Sequence, residues 1–232
     1  MTRQDIALSA VDRKGRGLEI GPSFGPLAPK SEGFDVDIVD HLDQEGLVAK
    51  YKTHGVDVSR IERVDFVWRG GRLADLLNRP GHYDYVIAAH VIEHLPDLLG
   101  FLSDVESLLK PGGVLALVVP DKRYCFDCLK PVSTTGAVID ASLNPRATHT
   151  PGAVLDHFML STKLNGAITW NGDKTGELRF AHQIEDALHL LERAINQPDE
   201  YLDIHRWHFT PSSLKLILID LRLLKRTGLL VV

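Results

Sequence analysis

The stretch Gly17-Leu-Glu-Ile-Gly-Pro-Ser-Phe-Gly25 sets a carboxylate and closely spaced glycines at the end of a short apolar run. Glycine at position 21 lets the backbone turn tightly and lets a ligand lie against it. Glu19 places an acid where that turn begins. A second acid, Asp40, closes the next apolar run about 20 residues further on, the spacing at which a carboxylate can accept both hydroxyls of a ribose. Taken alone, Gly21 and Gly25 are equally well explained by an ordinary turn between strand and helix. A dinucleotide fingerprint would require Gly-x-Gly-x-x-Gly before a helix. Here positions 21, 23 and 25 are Gly, Ser and Gly, and Pro26 follows, which disfavours a nicotinamide cofactor.

A second group of reactive side chains lies further along. Pro120-Asp-Lys-Arg-Tyr-Cys-Phe-Asp127 leaves an apolar run with Asp121 and Tyr124 as candidate catalytic groups. Asp-Ile-His-Arg-Trp-His-Phe-Thr-Pro carries His205 and His208, either of which could act as a base. The plainer readings are a solvated loop start for the first pair and packed, hydrogen-bonded rings beside Trp207 and Phe209 for the second. Cys125 and Cys128, joined by His205 and His208, could supply four tetrahedral ligands only if all four converged. The expectation is two small buried thiols in a loop and no metal site.

The elements that must position these groups alternate short apolar runs with amphipathic segments, the pattern of βαβ units and a parallel sheet. Strands are expected at 17–20, 34–40, 64–67, 83–89, 114–119 and 229–232. One helix is capped by Asp97, carries Leu98, Phe101, Leu102, Val105 and Leu108 inward, and stops at Lys-Pro-Gly-Gly. Another starts at Thr210-Pro211 and runs to Gly228. A third has Ile184, Leu188, Leu191 and Ile195 at helical spacing. Residues 121–209 are too long for a simple connection. They follow the carboxyl end of a strand, where open parallel sheets bind ligands, and read as a partly helical cap inserted in a single domain, 1–232.

Composition narrows the function classes. The chain has 232 residues, 44% hydrophobic and 25% charged, enough for a sizeable core. With 26 basic against 31 acidic residues and a net charge of -5, it lacks the basic footprint of a nucleic-acid binder. No run is long enough for a signal peptide or a membrane span, and two cysteines do not make a disulfide scaffold. A soluble cytoplasmic protein is expected, with neither nucleic acid nor membrane as partner.

Residue by residue, the motifs resemble those of the class I S-adenosylmethionine-dependent methyltransferases. Leu-Glu-Ile-Gly-Pro-Ser-Phe-Gly looks like their first motif, and Ile-Val-Asp-His, ending on Asp40, like the second. Tyr-Asp-Tyr-Val-Ile-Ala-Ala-His-Val-Ile-Glu-His-Leu-Pro-Asp resembles their fourth strand and loop, and Leu-Leu-Lys-Pro-Gly-Gly-Val-Leu-Ala-Leu-Val-Val-Pro their fifth. The match covers about residues 17–120. It implies a Rossmann-like, doubly wound α/β fold with S-adenosyl-L-methionine as cofactor. On that resemblance Glu19, Gly21, Ser23 and Gly25 line the methionine end and Asp40 holds the ribose. His41 and Leu42 lie beside adenine, Leu73 contacts it through backbone, and His90 faces the sulfonium. His94 belongs to the loop motif and would brace it. Expected acceptors are a small molecule or a carbohydrate, methylated by direct displacement. The alternative is a catalytically silent binding module of the same fold.

Three features depart from the family pattern. Pro26 and Pro29 imply a short or irregular first helix, and no acid occupies the third-strand loop. The chain also stops at Val232 on what reads as a sixth strand, where the family adds a final antiparallel one. Either the sheet lacks that strand or the sequence belongs to a longer polypeptide.

Overall fold

The computed structural model describes residues 2–172 and 175–232, which divide into two compact units. The first unit comprises the residues up to Val91 together with Phe101–Val118. Its sheet has five strands: β1 (Gly17–Ile20), β2 (Val36–Asp40), β3 (Phe66–Val67), β4 (Tyr83–Ala89) and β5 (Leu109–Val118). They pair in parallel in the order β3-β2-β1-β4-β5. Every residue of β1 and β2 is buried, as expected of parallel strands covered on both faces. The chain leaves β1 toward β2 on one side and returns to β4 on the other. That reversal opens the crevice in which doubly wound sheets bind ligands, at the carboxyl ends of β1 and β4.

Four helices accompany this sheet: α1 (Arg3–Ala7), α2 (Gln44–Tyr51), α3 (Leu73–Leu77) and α4 (Leu98–Leu108). Ala7, Leu8, Val11, Leu27, Ala28, Tyr85 and Ile87 form one apolar cluster. The inward face expected for α4 is observed, with Leu98, Phe101, Leu102, Val105 and Leu108 all buried. Gly17 is forced by close packing, since a Cβ there would sit 2.2 Å from Cζ of the buried Tyr85.

Two strand expectations are corrected. β5 starts at Leu109, not after the glycines. Leu109 already pairs with Tyr83, and the ladder resumes at Val114 after an irregularity that Gly112 accommodates at φ +79°. No strand forms at 229–232. Leu230 is 61% exposed, and nothing pairs this apolar tail with the sheet among the described residues. Apolar composition there does not find a covered edge.

The second unit comprises Ile92–Gly100 and Val119–Val232. It holds α5 (Thr135–Leu143), α6 (Pro151–Leu160), the antiparallel pair β6 (Thr162–Leu164) and β7 (Leu178–Phe180), α7 (Ile184–Asn196) and α8 (Pro211–Leu223). Thr134, Thr150 and Thr210 each cap a helix by accepting a backbone N–H, and proline opens α6 and α8. Val154, Ala194 and Ile204 centre the core that α6 shares with α7. In α7 the small residues Ala187 and Ala194 face inward, whereas Ile184, Leu188 and Ile195 are at least half exposed. No helix among the described residues is long and apolar enough to cross a membrane.

Gly17→Ala forces the added methyl group into the Tyr85 ring. A loss of about 1–3 kcal/mol in denaturant unfolding is expected, the usual cost of overpacking. A midpoint equal to wild type would show that the strands are less tightly apposed than described.

Candidate active site

The loop after β1 is built by two buried carboxylates. Glu19 Oε1 accepts the Leu27 N–H at 2.6 Å and Oε2 the Ala28 N–H at 3.0 Å. Asp40 Oδ2 accepts the Ser23 N–H at 2.9 Å. The loop has no long helix to satisfy its amides, because after Pro26 and Pro29 only a 3-10 turn forms at Lys30–Glu32. Glu19 therefore turns inward and shapes the loop, rather than presenting its carboxylate to a ligand as the sequence suggests. Gly21 (φ +64°) and Ser23 (φ +50°) adopt left-handed backbone, and a Cβ on Gly21 would meet Val91 Cγ2 at 3.1 Å. Gly25 closes a turn by donating its N–H to Pro22 O. At the end of the neighbouring β4, His90 is also left-handed (φ +56°), exposed, and anchored by its N–H to Val118 O.

Asp40 has one more set of partners. Its Oδ1 accepts the His41 N–H and lies 2.6 Å from His41 Nδ1. Lys50 Nζ reaches His41 Nε2 at 2.9 Å, which places the ring proton on Nδ1. Three donors thus occupy the roughly four acceptor positions of the carboxylate. A ribose diol can be accepted here once the half-exposed His41 ring swings off Oδ1. Leu42 is half-buried next to it. Leu73 does not belong to this surface. It is fully buried, and its N–H is donated to the buried Asp104, which also binds Arg72. The exposed part of the loop is Gly70–Arg72.

The carboxylate at Asp40, the tightly turned amides at 21–25 and the His41–Leu42 surface suit an adenosyl group. A bound nucleoside would be met by one acid for its diol and by an apolar rim for its base. The crevice at the β1–β4 reversal supplies the place.

The second unit contains a polar centre of its own. His205 Nδ1 lies 2.6 Å from Asp127 Oδ2, and Lys130 Nζ binds Asp127 Oδ1 at 2.7 Å. Lys130 also donates to His157 Nδ1 at 3.1 Å, an atom that accepts the His205 backbone N–H as well. Burial works against the charge on Asp127, but His205 and Lys130 outweigh it and hold the carboxyl well below its ordinary value. Burial and the Lys130 charge push His157 down to about 3, so its ring is neutral. Lys130 itself is lowered by burial, with Asp127 opposing. His94 stacks edge-on against His205, with ring centroids 4.5 Å apart, and its Nδ1 lies 2.8 Å from Asp203 Oδ1.

The other expected catalytic groups have structural work. Asp121 caps the turn Lys122–Tyr124 and pairs with Arg123. Tyr124 lies under the Arg123 guanidinium. His208 Nε2 donates to His205 O, and burial lowers the ring to about 4. Cys125 contacts Asp127 at 3.6 Å and Cys128 contacts Thr162 at 3.2 Å; among the described residues the one cluster of potential metal ligands includes neither thiol nor His208. Burial pushes the Cys125 thiol up to about 12. Asp127 and Lys130, three residues apart, were not selected because their meeting with His157 and His205 is made only by the fold.

Comparison with known proteins decides the family. A model of the methyltransferase domain matches residues 3–220. The chain belongs to this family. S-adenosylmethionine is the family's cofactor. A ubiquinone biosynthesis O-methyltransferase of Xanthomonas campestris is 31% identical over 151 residues, covering 63% of this chain and 59% of that relative. The chain thus spans about three-fifths of the length of the curated relatives it matches. Among solved structures, trans-methyltransferase CalH in complex with SAH is 25% identical, with a TM-score of 0.35 over 48% of this chain and 34% of that one. A SAM-dependent methyltransferase of Thermotoga maritima, described as a possible histamine N-methyltransferase, is 22% identical, with a TM-score of 0.35 over 51% of each chain.

Two mutations test these arrangements. Asp40→Ala removes both the anchor of Ser23 and the acceptor for the diol. Calorimetry should show S-adenosylhomocysteine binding weakened by about 1–3 kcal/mol, roughly ten- to hundredfold; unchanged affinity rejects the assignment. Lys130→Met strands the Asp127 charge, and about 3–5 kcal/mol of stability should be lost in urea. A loss under about 1 kcal/mol would mean that water reaches the carboxylate.

Proposed function

We propose that the protein transfers a methyl group from S-adenosylmethionine to a hydroxyl oxygen of a small-molecule acceptor. The observation that carries this reading is the left-handed turn at Gly21–Ser23 fastened to Asp40, at the reversal of strand order. Gly21, Ser23 and Gly25 take the amino-acid end of the cofactor through backbone, where bulk is least. Asp40 takes the ribose, His41 and Leu42 flank the base, and His90 faces the sulfonium region. When bound, the cofactor supplies a methyl already activated by its sulfonium, so the chain's task is alignment and exclusion of water.

The named relatives act, by their titles, in ubiquinone biosynthesis as O-methyltransferases. On that support a phenolic hydroxyl of a quinone precursor is favoured over the carbohydrate acceptor. We assign acceptor chemistry to residues 121–209. Of the four candidate groups there and beyond, His205 is the best placed. Asp127 fixes its Nδ1, which leaves Nε2 as the edge that meets the acceptor oxygen. Asp121, Tyr124 and His208 are then positioning or structural.

The test is methyl transfer to a panel of phenols and sugars, read by mass spectrometry beside calorimetry with S-adenosylhomocysteine. Binding plus methylated phenol is the expected result, with His205→Ala lowering kcat by about 10²–10⁴-fold. Methylated sugars alone would replace the acceptor class. Tight binding without turnover on either panel would favour the silent binding module, and no binding at all rejects the reading.

A further inference from the structure

Glu93, His94 and His205 bring one potential ligand atom each to within 4.8 Å of one another. Glu93 and His94 belong to the loop motif after β4, which gives neither a contact with the cofactor, and His205 lies outside it. We propose that the three residues form a binding site for a divalent cation of the zinc type. The proposal deepens the methyl-transfer reading only in the cation's role, which is to hold the acceptor oxygen; the binding itself stands independently.

The donor chemistry is specific. Two imidazoles and one carboxylate are the protein ligands of a zinc site that keeps its fourth position open. Metal-bound histidines normally give their second nitrogen to a carboxylate, which orients the ring and fixes its tautomer. His205 has that partner, its Nδ1 lying 2.6 Å from Asp127, and a carboxylate of Asp203 lies 2.8 Å from His94 Nδ1 as an ion-pair contact without hydrogen-bond alignment. Nε2 is the nitrogen left to ligate in each; in the ion-loaded chain His205 Nε2 holds the ion, and the ion replaces the free ring in activating the acceptor hydroxyl. Glu93 is fully buried, and backbone holds its segment, since its carbonyl accepts the N–H groups of Arg206 and Trp207. The ligands thus sit on two segments that are already stitched together. Bonds of about 2.0 Å to a tetrahedral ion put ligand atoms about 3.3 Å apart, so at most about 1.5 Å has to be closed. His94, whose side chain is 28% exposed, has room to move and gives an ion its way in. The local charge also suits a dication, because Glu93, Asp127 and Asp203 outnumber the nearby cations Lys130 and Arg206. An ion held by three ligands offers its fourth position to a hydroxyl oxygen, and would lower the pKa of that hydroxyl.

The experiment uses the full chain, stripped with chelator and titrated with Co2+ (followed by visible absorption) and with Zn2+ by calorimetry. One ion per chain is expected, with a ligand-field band in the Co2+ form. His94→Ala and Glu93→Gln should each weaken binding at least tenfold, and Asp203→Asn by roughly 10–100-fold. Cys128→Ser should leave it unchanged. Thermal melts confirm that each variant is folded; His94→Ala, at a partly exposed ring, is the variant least exposed to a folding defect. No saturable uptake by folded wild type, or equal affinity in His94→Ala and Glu93→Gln, overturns the proposal. Loss on Cys128→Ser alone assigns the ion to the thiols and overturns it as well. S-adenosylhomocysteine titration of the same samples separates the two readings. Failure of ion binding with cofactor binding intact rejects only the cation site, while failure of cofactor binding strikes the methyl-transfer reading.

Discussion

A single buried carboxylate that receives two adjacent amides holds the loop after β1 in the first unit. Glu19 accepts the N–H groups of Leu27 and Ala28, and so replaces the first turn of the helix that Pro26 and Pro29 prevent. Amides left bare in this position would each cost on the order of 1–3 kcal/mol. With the loop clamped at its far end by Glu19 and at its near end by Asp40, the left-handed turn at Gly21 and Ser23 keeps one shape. Everything proposed for the cofactor depends on that shape being present before the ligand arrives.

The second unit solves a related problem by other means. It buries Asp127, Lys130 and His205 together, and each is tolerated because the others are there. The same network settles the ring orientations of His205 and His157 without any ligand. Preorganisation in both units is thus electrostatic, with buried carboxylates directing either backbone amides or imidazole rings.

Much of the first unit was legible from sequence. Parallel, doubly covered strands are apolar on both alternations, so β1, β2 and β4 read correctly, and the α4 face followed from helical spacing. Asp40 stood out because its distance from the glycine turn is set by the single connection from β1 to β2. Legibility failed where long-range geometry decides. The early start of β5 depends on a left-handed Gly112 that lets the ladder continue past a proline. The tail at 229–232 is apolar enough for a strand but finds no partner among the described residues. In α7 Ile184, Leu188 and Ile195 face outward, while Ala187, Ala194 and the partly buried Leu190 face inward, a choice that a hydropathy pattern does not carry. The direction of Glu19 and the assembly around Asp127 are likewise matters of side-chain partners from distant segments.

The contact between Gly17 and Tyr85 carries one more implication. The ring occupies the volume that a side chain at 17 would need, and its hydroxyl is buried with no hydrogen-bond partner among the described residues. These two positions on neighbouring strands form a lock, and over evolutionary time a larger residue at one demands a smaller one at the other. The ring carbons alone already fill that volume, so phenylalanine would serve as well at position 85, and the sheet's centre has slack in chemistry where it has none in space.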